Sequence, residues 1–214
     1  MVTLKSCSNE IRSCQLCRLS QTRTQAVPGE GSPVSKIMFV GEAPGSNEDQ
    51  QGVPFIGAAG RLLSSMLQSI ELDRDSVFIT NIVKCRPPNN RDPFPDEAQV
   101  CSNYLDKQIG IIKPLIIVPL GRHATSHWFP KEPISTLKAK AIPINQSILF
   151  PLIHPAAALH NGKLRETIQT DFLKLGELLT NMTASNQKIQ TPPLSTETTL
   201  DTAASPAAEQ MRLL

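Results

Sequence analysis

The chain has 214 residues, 40% hydrophobic and 19% charged, with 21 Lys+Arg set against 19 Asp+Glu for a formal net charge of +2. That is enough chain for one domain with a full core, and no apolar run approaches the roughly 18–20 residues that cross a bilayer, so no membrane role is expected. The near-balanced charge neither demands nor excludes nucleic acid. Met1 to Cys7 lacks the apolar core of a signal peptide, which predicts a cytoplasmic protein.

In chain order, the first feature is the knuckle Cys14-Gln-Leu-Cys17. Lys36–Val40 is an apolar run that reads as a buried strand. Leu62, Leu63, Met66, Leu67 and Ile70 recur at helical spacing. Between strand and helix lies Gly41–Gly60, GEAPGSNEDQQGVPFIGAAG, with five glycines, two prolines, three carboxylates and Phe55. An ordinary strand-to-helix connection needs only about 2–6 residues, so this loop is built to hold something.

Val77–Thr80 predicts a second strand, followed by Asn81 and the basic loop Lys84–Arg91. Pro95 and Asp96 announce a helix capped by Asp96, with Val100, Cys101, Tyr104, Leu105, Gln108 and Ile109 on its buried face. Leu115–Leu120 and Ser147–Ile153 predict two more strands, running into Gly121-Arg-His-Ala124 and His154-Pro-Ala-Ala157. Ile168, Phe172, Leu175 and Leu179 mark a last helix. From residue 183 onward the chain carries no aromatics and no periodicity. Residues 1–182 are therefore expected to form the domain, and 183–214 a disordered tail.

Strands alternating with helices predict a parallel sheet between helical layers. Ligands of such sheets bind beyond the carboxyl ends of the strands. The four unusual segments, starting at Gly41, Asn81, Gly121 and His154, all follow predicted strands.

Five cysteines occur, Cys7, Cys14, Cys17, Cys85 and Cys101, with fifteen residues between the last two. Reduced buried thiols are one reading, since cytosolic disulfides are rare. A thioredoxin-type pair would follow a strand, and a zinc ribbon would need a second CxxC. Four thiolates drawn from a knuckle, a loop and a helix suit zinc or an iron–sulfur cluster equally. Cys7 is expected to be a free thiol.

Taken together, Cys14-x2-Cys17, Val27-Pro-Gly-Glu-Gly31, Gly41-Glu-Ala-Pro-Gly45 with Glu48-Asp49, and Gly52-x-Pro-Phe55-x-Gly57-x-Ala59-Gly60 form an ordered series. It continues through Ile79-Thr-Asn-Ile-Val-Lys-Cys-Arg-Pro-Pro88, Asn90-Arg91, Cys101, Leu120-Gly121 and His154-Pro-Ala-Ala157. Over about residues 10–180 this resembles the type-4 uracil-DNA glycosylases, the iron–sulfur branch of their superfamily. The resemblance implies an α/β fold, a three-layer α/β/α sandwich around four parallel strands. It implies a [4Fe–4S] cluster on Cys14, Cys17, Cys85 and Cys101, and a uracil pocket lined by Gly41, Glu42, Ala43, Phe55, Asn81 and His154. It implies a monomer acting on uracil-containing DNA, single- or double-stranded. Two departures concern backbone contacts: Lys138-Ala-Lys140-Ala stands where relatives often carry Arg-Gly, and the arginine they often carry after His-Pro-Ala-Ala is replaced near His160.

Glycosidic chemistry on a base requires the base outside the stack. Phe55 would stack on it, and the amide of Asn81 matches the N3–H donor and O4 acceptor of uracil. His154 would donate to O2 as negative charge develops there, a contribution of order 3–4 kcal/mol. Where the best-known uracil-DNA glycosylases carry a catalytic aspartate, this chain has Ala43. Glu42 would then orient water or steady the sugar cation, unless its segment acts through its backbone. Lys84, Arg86 and Arg91 are expected at DNA phosphates, and His123, His127 and His160 at the surface. A uracil-binding or redox-sensing module without turnover is the rival reading. The arginine-rich insertion of cross-linking relatives is missing before His154, and the cysteines are too dispersed for a ferredoxin.

Overall fold

A computed structural model describes residues 3–159 and 161–190. Helix α1 (Leu4–Ser13) precedes the two-residue strand β1 (Glu30–Gly31) and the wholly buried strand β2 (Ile37–Gly41). The long loop that follows contains α2 (Ser46–Gln51) and delivers the chain into α3 (Ala58–Gln68). Strand β3 (Phe78–Asn81) leads through the basic loop to α4 (Pro95–Ile112) and β4 (Ile116–Pro119). Two short helices, α5 (Gly121–Ser126) and α6 (Ile134–Leu137), come before β5 (Ile142–Ile144) and β6 (Ser147–Leu149). A 3-10 turn at Pro155–Ala158 and helix α7 (Gly162–Gln190) complete the described chain.

The sheet has six strands in the order β1-β3-β2-β4-β6-β5. The four expected strands form its parallel centre, β3-β2-β4-β6. The expected count is corrected by two antiparallel edges, β1 on β3 and β5 on β6. Neither edge has an apolar run long enough to stand out in the sequence. β1 is two residues bent by Gly31 at φ 116°, and β5 contains Pro143, tolerated at an edge because no outer strand needs its missing N–H. The last predicted strand is also shorter than expected. Strand β6 ends at Leu149, although the backbone N–H groups of Phe150 and Leu152 still donate to the Ile117 and Pro119 carbonyls and Leu152 forms a parallel bridge to Leu120.

Side chains alternate across this sheet, as the pleat requires. Ile37, Phe39, Ile79, Ile116 and Val118 face α3 and α7, where Phe39 stacks on Phe172 at 5.9 Å between ring centroids. Met38, Val40, Phe78, Ile117 and Leu149 face α1 and α4. The three-layer α/β/α sandwich is as expected. Within α4 the cap differs: Phe94 holds the cap position, and Glu97 accepts its backbone N–H at 2.8 Å, so Asp96 lies inside the first turn. Helix α7 passes the expected boundary at 183 and continues to Gln190, while residues 191–214 lie outside the described part. No described helix is long and apolar enough to cross a membrane.

Candidate active site

The carboxyl ends of β2 and β3, the turn after the last strand segment and the long loop enclose a cavity of about 390 Å³. It is lined by Glu42, Ala43, Phe55, Asn81 and His154 among the expected residues, and also by Glu48, Asn90 and Arg91. Gly41 and Asn81 are register partners on adjacent parallel strands. A Cβ on Gly41 would collide with the Asn81 amide and the Phe55 ring, so this glycine is what lets the two converge.

Asn81 is 1% exposed, and its Oδ1 is the one buried side-chain nitrogen or oxygen among the described residues that lacks a hydrogen-bond partner. A buried acceptor left unpaired costs about 1–3 kcal/mol, so natural proteins keep such atoms rarely and for a reason.

Phe55 sits at φ 52°, a left-handed conformation that costs a bulky residue of order 1–3 kcal/mol. Two clamps hold it there. Arg74 donates from Nη1 to the Phe55 carbonyl at 3.0 Å and from Nη2 to the Pro54 carbonyl at 2.8 Å, while pairing with Glu30 at 3.1 Å. On the other side Glu48 Oε1 accepts the backbone N–H groups of Ile56 and Gly57, each at 3.0 Å. Gly60 packs directly on the Phe55 carbonyl, where any Cβ would clash. The Phe55 ring ends 5.6 Å from the imidazole of His154, tilted by 31°. Sequence reasoning missed Arg74 and Glu48 as parts of this site. The unpaired acidic pattern of Glu48-Asp49 was the available signal for the second, and nothing local signalled the first.

His154 caps the 3-10 turn: its Nδ1 accepts the Ala156 N–H at 3.1 Å. That bond leaves the proton on Nε2, pointing the donor away from its own turn. Burial lowers the imidazole pKa to about 4, so the ring is neutral at neutral pH. Gly121 at φ 86° packs beside His154, where a Cβ would lie 2.9 Å from the histidine Cβ.

Glu42 is half-buried, and burial is the main influence raising its carboxyl pKa. His123 opposes that rise, Asp92 adds to it and Arg122 opposes it. Glu42 lines the cavity, and the other groups gather beside it. A carboxylate oxygen of Glu42, one of Asp92 and a ring nitrogen of His123 lie within 4.8 Å of one another, with His123 Nε2 3.0 Å from Asp92. His123 was expected merely at the surface and stands instead beside Glu42. His160 lies outside the described residues.

The basic loop requires a correction. Lys84 is 1% exposed and turns inward, its Nζ donating to Thr80 Oγ1 at 2.6 Å, the Asn81 carbonyl at 2.7 Å and Gln108 Oε1 at 2.7 Å. It cannot reach phosphate; burial lowers its pKa to about 8. Arg91 reaches the cavity but is paired with both oxygens of buried Glu97, at 2.8 and 2.7 Å. Arg86 donates to Asn90 Oδ1 at 2.8 Å and remains half-exposed.

Behind this loop, Cys14, Cys17, Cys85 and Cys101 line a single cavity with Ile11, Arg23 and Tyr104. All are free thiols, and among the described residues no three cysteine sulfurs converge within 4.8 Å of one another. Arg23 donates to Cys85 Sγ at 3.0 Å, and the backbone N–H of Lys84 donates to Cys101 Sγ at 3.2 Å. Burial pushes the Cys101 thiol up to about 11, against the pull of Lys84. Cys7 is buried in α1 and does not line this cavity.

A family model, the uracil DNA glycosylase superfamily, matches residues 28–175. A type-4 uracil-DNA glycosylase of Sulfurisphaera tokodaii is 53% identical over 188 residues, covering 83% of this chain and 86% of that protein. Its counterpart in Saccharolobus solfataricus is 48% identical, covering 85% and 88%. A third, in Archaeoglobus fulgidus, is 46% identical, covering 83% and 94%.

Proposed function

From the membership of this chain in the type-4 uracil-DNA glycosylases of the uracil DNA glycosylase superfamily, we propose that it hydrolyses the N-glycosidic bond of uracil flipped out of DNA, leaving an abasic site. The observation that carries this reading is the buried, unpartnered Oδ1 of Asn81 at the bottom of the cavity. Uracil supplies the missing donor, N3–H, and offers O4 to the other half of the same amide. Phe55 gives the base a flat apolar surface, and its clamped backbone keeps the ring from following the substrate.

As the N1–C1′ bond breaks, its electron pair passes to uracil and negative charge gathers on O2. The neutral His154 donates from Nε2 to that oxygen, and because Ala156 has fixed its tautomer, no proton must move first. Glu42 faces the sugar side as a carboxylate. It steadies the positive charge at C1′ and takes the proton of the water that adds there. Ala43 brings no acid or base of its own, so this task falls to Glu42.

The four cysteines around the second cavity suit a [4Fe–4S] cluster. A single zinc holds its thiolates about 3.8 Å apart, as follows from Zn–S bonds of about 2.3 Å in a tetrahedron. These sulfurs share one cavity without closing to that spacing, and N–H donors already aim at two of them. When bound, the cluster supplies a covalent tie between the knuckle, the basic loop and α4.

The deciding experiment incubates the purified full chain with matched single- and double-stranded DNA bearing uracil or cytosine at one position. Alkali-sensitive cleavage at uracil alone is the expected result. Binding of uracil-DNA without cleavage would leave the non-enzymatic module standing. Iron and acid-labile sulfide in equal amounts would support the cluster, and stoichiometric zinc in a colourless protein would remove it.

A further inference from the structure

With Lys84 buried and Arg91 paired to Glu97, the basic loop offers the DNA strand only the half-exposed Arg86. The other side of the uracil cavity offers more. Arg61 on α3 and Arg165 on α7 line a separate cavity of about 240 Å³ with Leu62, Ser65, Ala158 and Leu159. No carboxylate lines it, and neither guanidinium makes a side-chain hydrogen bond or ion pair among the described residues. Both arginines are exposed.

The cavity of Arg61 and Arg165 lies along the same two elements as the uracil cavity. On α3, Ala59 lines the uracil cavity and Arg61 and Leu62 the new one; on the 3-10 turn, Ala156 lines the first and Ala158 the second. Ala59 and Leu62, three residues apart on α3, differ by about 4.5 Å along the helix axis, so the two cavities are neighbours. We propose that Arg61 and Arg165 form a phosphodiester-binding site that holds the DNA backbone beside the flipped nucleotide. It rests on the uracil-DNA reading above and adds the residues that grip the strand. Two planar guanidinium groups match paired phosphate oxygens, and the hydroxyl of Ser65 is a third donor in the lining. Leu62, Ala158 and Leu159 give the adjoining sugar an apolar floor.

The test measures binding of the full chain to a strand carrying an uncleavable abasic analogue, across a salt series. Each phosphate contact contributes about 0.7 to the slope of log K against log salt for single strands and about 0.9 for duplex. The double variant Arg61→Gln/Arg165→Gln is therefore expected to lower the slope by about 1.4–1.8. Its affinity loss between about 50 and 200 mM salt becomes about tenfold smaller than in wild type. The double variant Arg61→Lys/Arg165→Lys keeps the charge and should keep the slope. Neutral methylphosphonates placed one at a time around the abasic position should weaken wild type at one or two positions and leave the Gln variant indifferent there. An unchanged slope, or equal sensitivity of both proteins at every position, overturns the site. So does protection of the two arginines by inorganic phosphate with no change in DNA binding. Uracil excision by wild type is scored separately: if it is absent the functional reading falls, and if it is present with an unchanged slope only this site falls.

Discussion

Arg74 donates to the backbone carbonyl of Phe55 at 3.0 Å, so a cation nineteen residues away holds the stacking ring in a left-handed conformation. Charged hydrogen bonds of this kind are worth about 1.5–3 kcal/mol, comparable to the strain they oppose. Arg74→Ala should lower single-turnover excision of uracil about 10- to 100-fold. Arg74→Lys, able to reach one carbonyl but not two, should recover part of the loss. Equal rates for wild type and Arg74→Ala would mean that Glu48 alone holds the loop.

Asn81 is where discrimination between bases can be measured. Uracil and cytosine have nearly the same shape but opposite donor and acceptor patterns at positions 3 and 4. Buried mismatches cost about 1–3 kcal/mol each, so the amide should exclude cytosine by several orders of magnitude. Asn81→Asp places an acceptor against O4 and should all but abolish uracil excision, with weak cleavage at cytosine, whose N4 can donate. Asn81→Ala should lose uracil activity without that gain. Full uracil activity with strict discrimination in Asn81→Asp would show that another group reads the base.

His154 and Glu42 separate on the pH axis. Burial holds His154 near 4, below its ordinary 6.5, so it stays a neutral donor and adds no step to the rate between about pH 8 and 5. The sign for stability follows: the unfolded chain protonates this ring near 6.5 and the folded chain only near 4. Its contribution is complete above 6.5 and is lost as pH falls toward 4. Glu42 is raised, chiefly by burial, so the rate should fall on the acid side at a pH above the ordinary 4.5. His154→Ala should cost about 10²–10³ in single-turnover rate, and Glu42→Gln should flatten the acid limb. A rate that instead falls as pH rises through the imidazole pKa, and loses that alkaline limb in His154→Ala, would make imidazolium the working form.

Lys84→Met tests the inward lysine. The variant leaves Thr80, the Asn81 carbonyl and Gln108 without their shared donor, inside the layer between β3 and α4. Removing one partner from a buried charged network costs about 3–5 kcal/mol, which a thermal melt would register as a large drop. A phosphate-binding lysine would behave oppositely, with little change in melting and a shallower salt dependence of DNA binding.

Much of this molecule was readable before any fold was known. The four parallel strands announce themselves because three are apolar runs buried throughout and the fourth turns apolar from Ile148 onward, and such runs need no distant information. The loop Gly41–Gly60 was visible because glycine and proline constrain the backbone locally, and the cavity does form on it. Asn81 and His154 were singled out by their places at the ends of predicted strands, where ligands of such sheets bind, together with the family resemblance. Tertiary structure alone decided what depends on partners far along the chain. Lys84 reads as a phosphate contact until Gln108, twenty-four residues on, is seen to accept its hydrogen bond. Arg91 reads as a phosphate contact until Glu97 is seen buried against it. Arg74 carries no local signal, because its role lies in two carbonyls of a loop nineteen and twenty residues before it. Periodicity records which side of an element is buried, whereas the direction of a long charged side chain is set by the acceptors that folding brings within its reach.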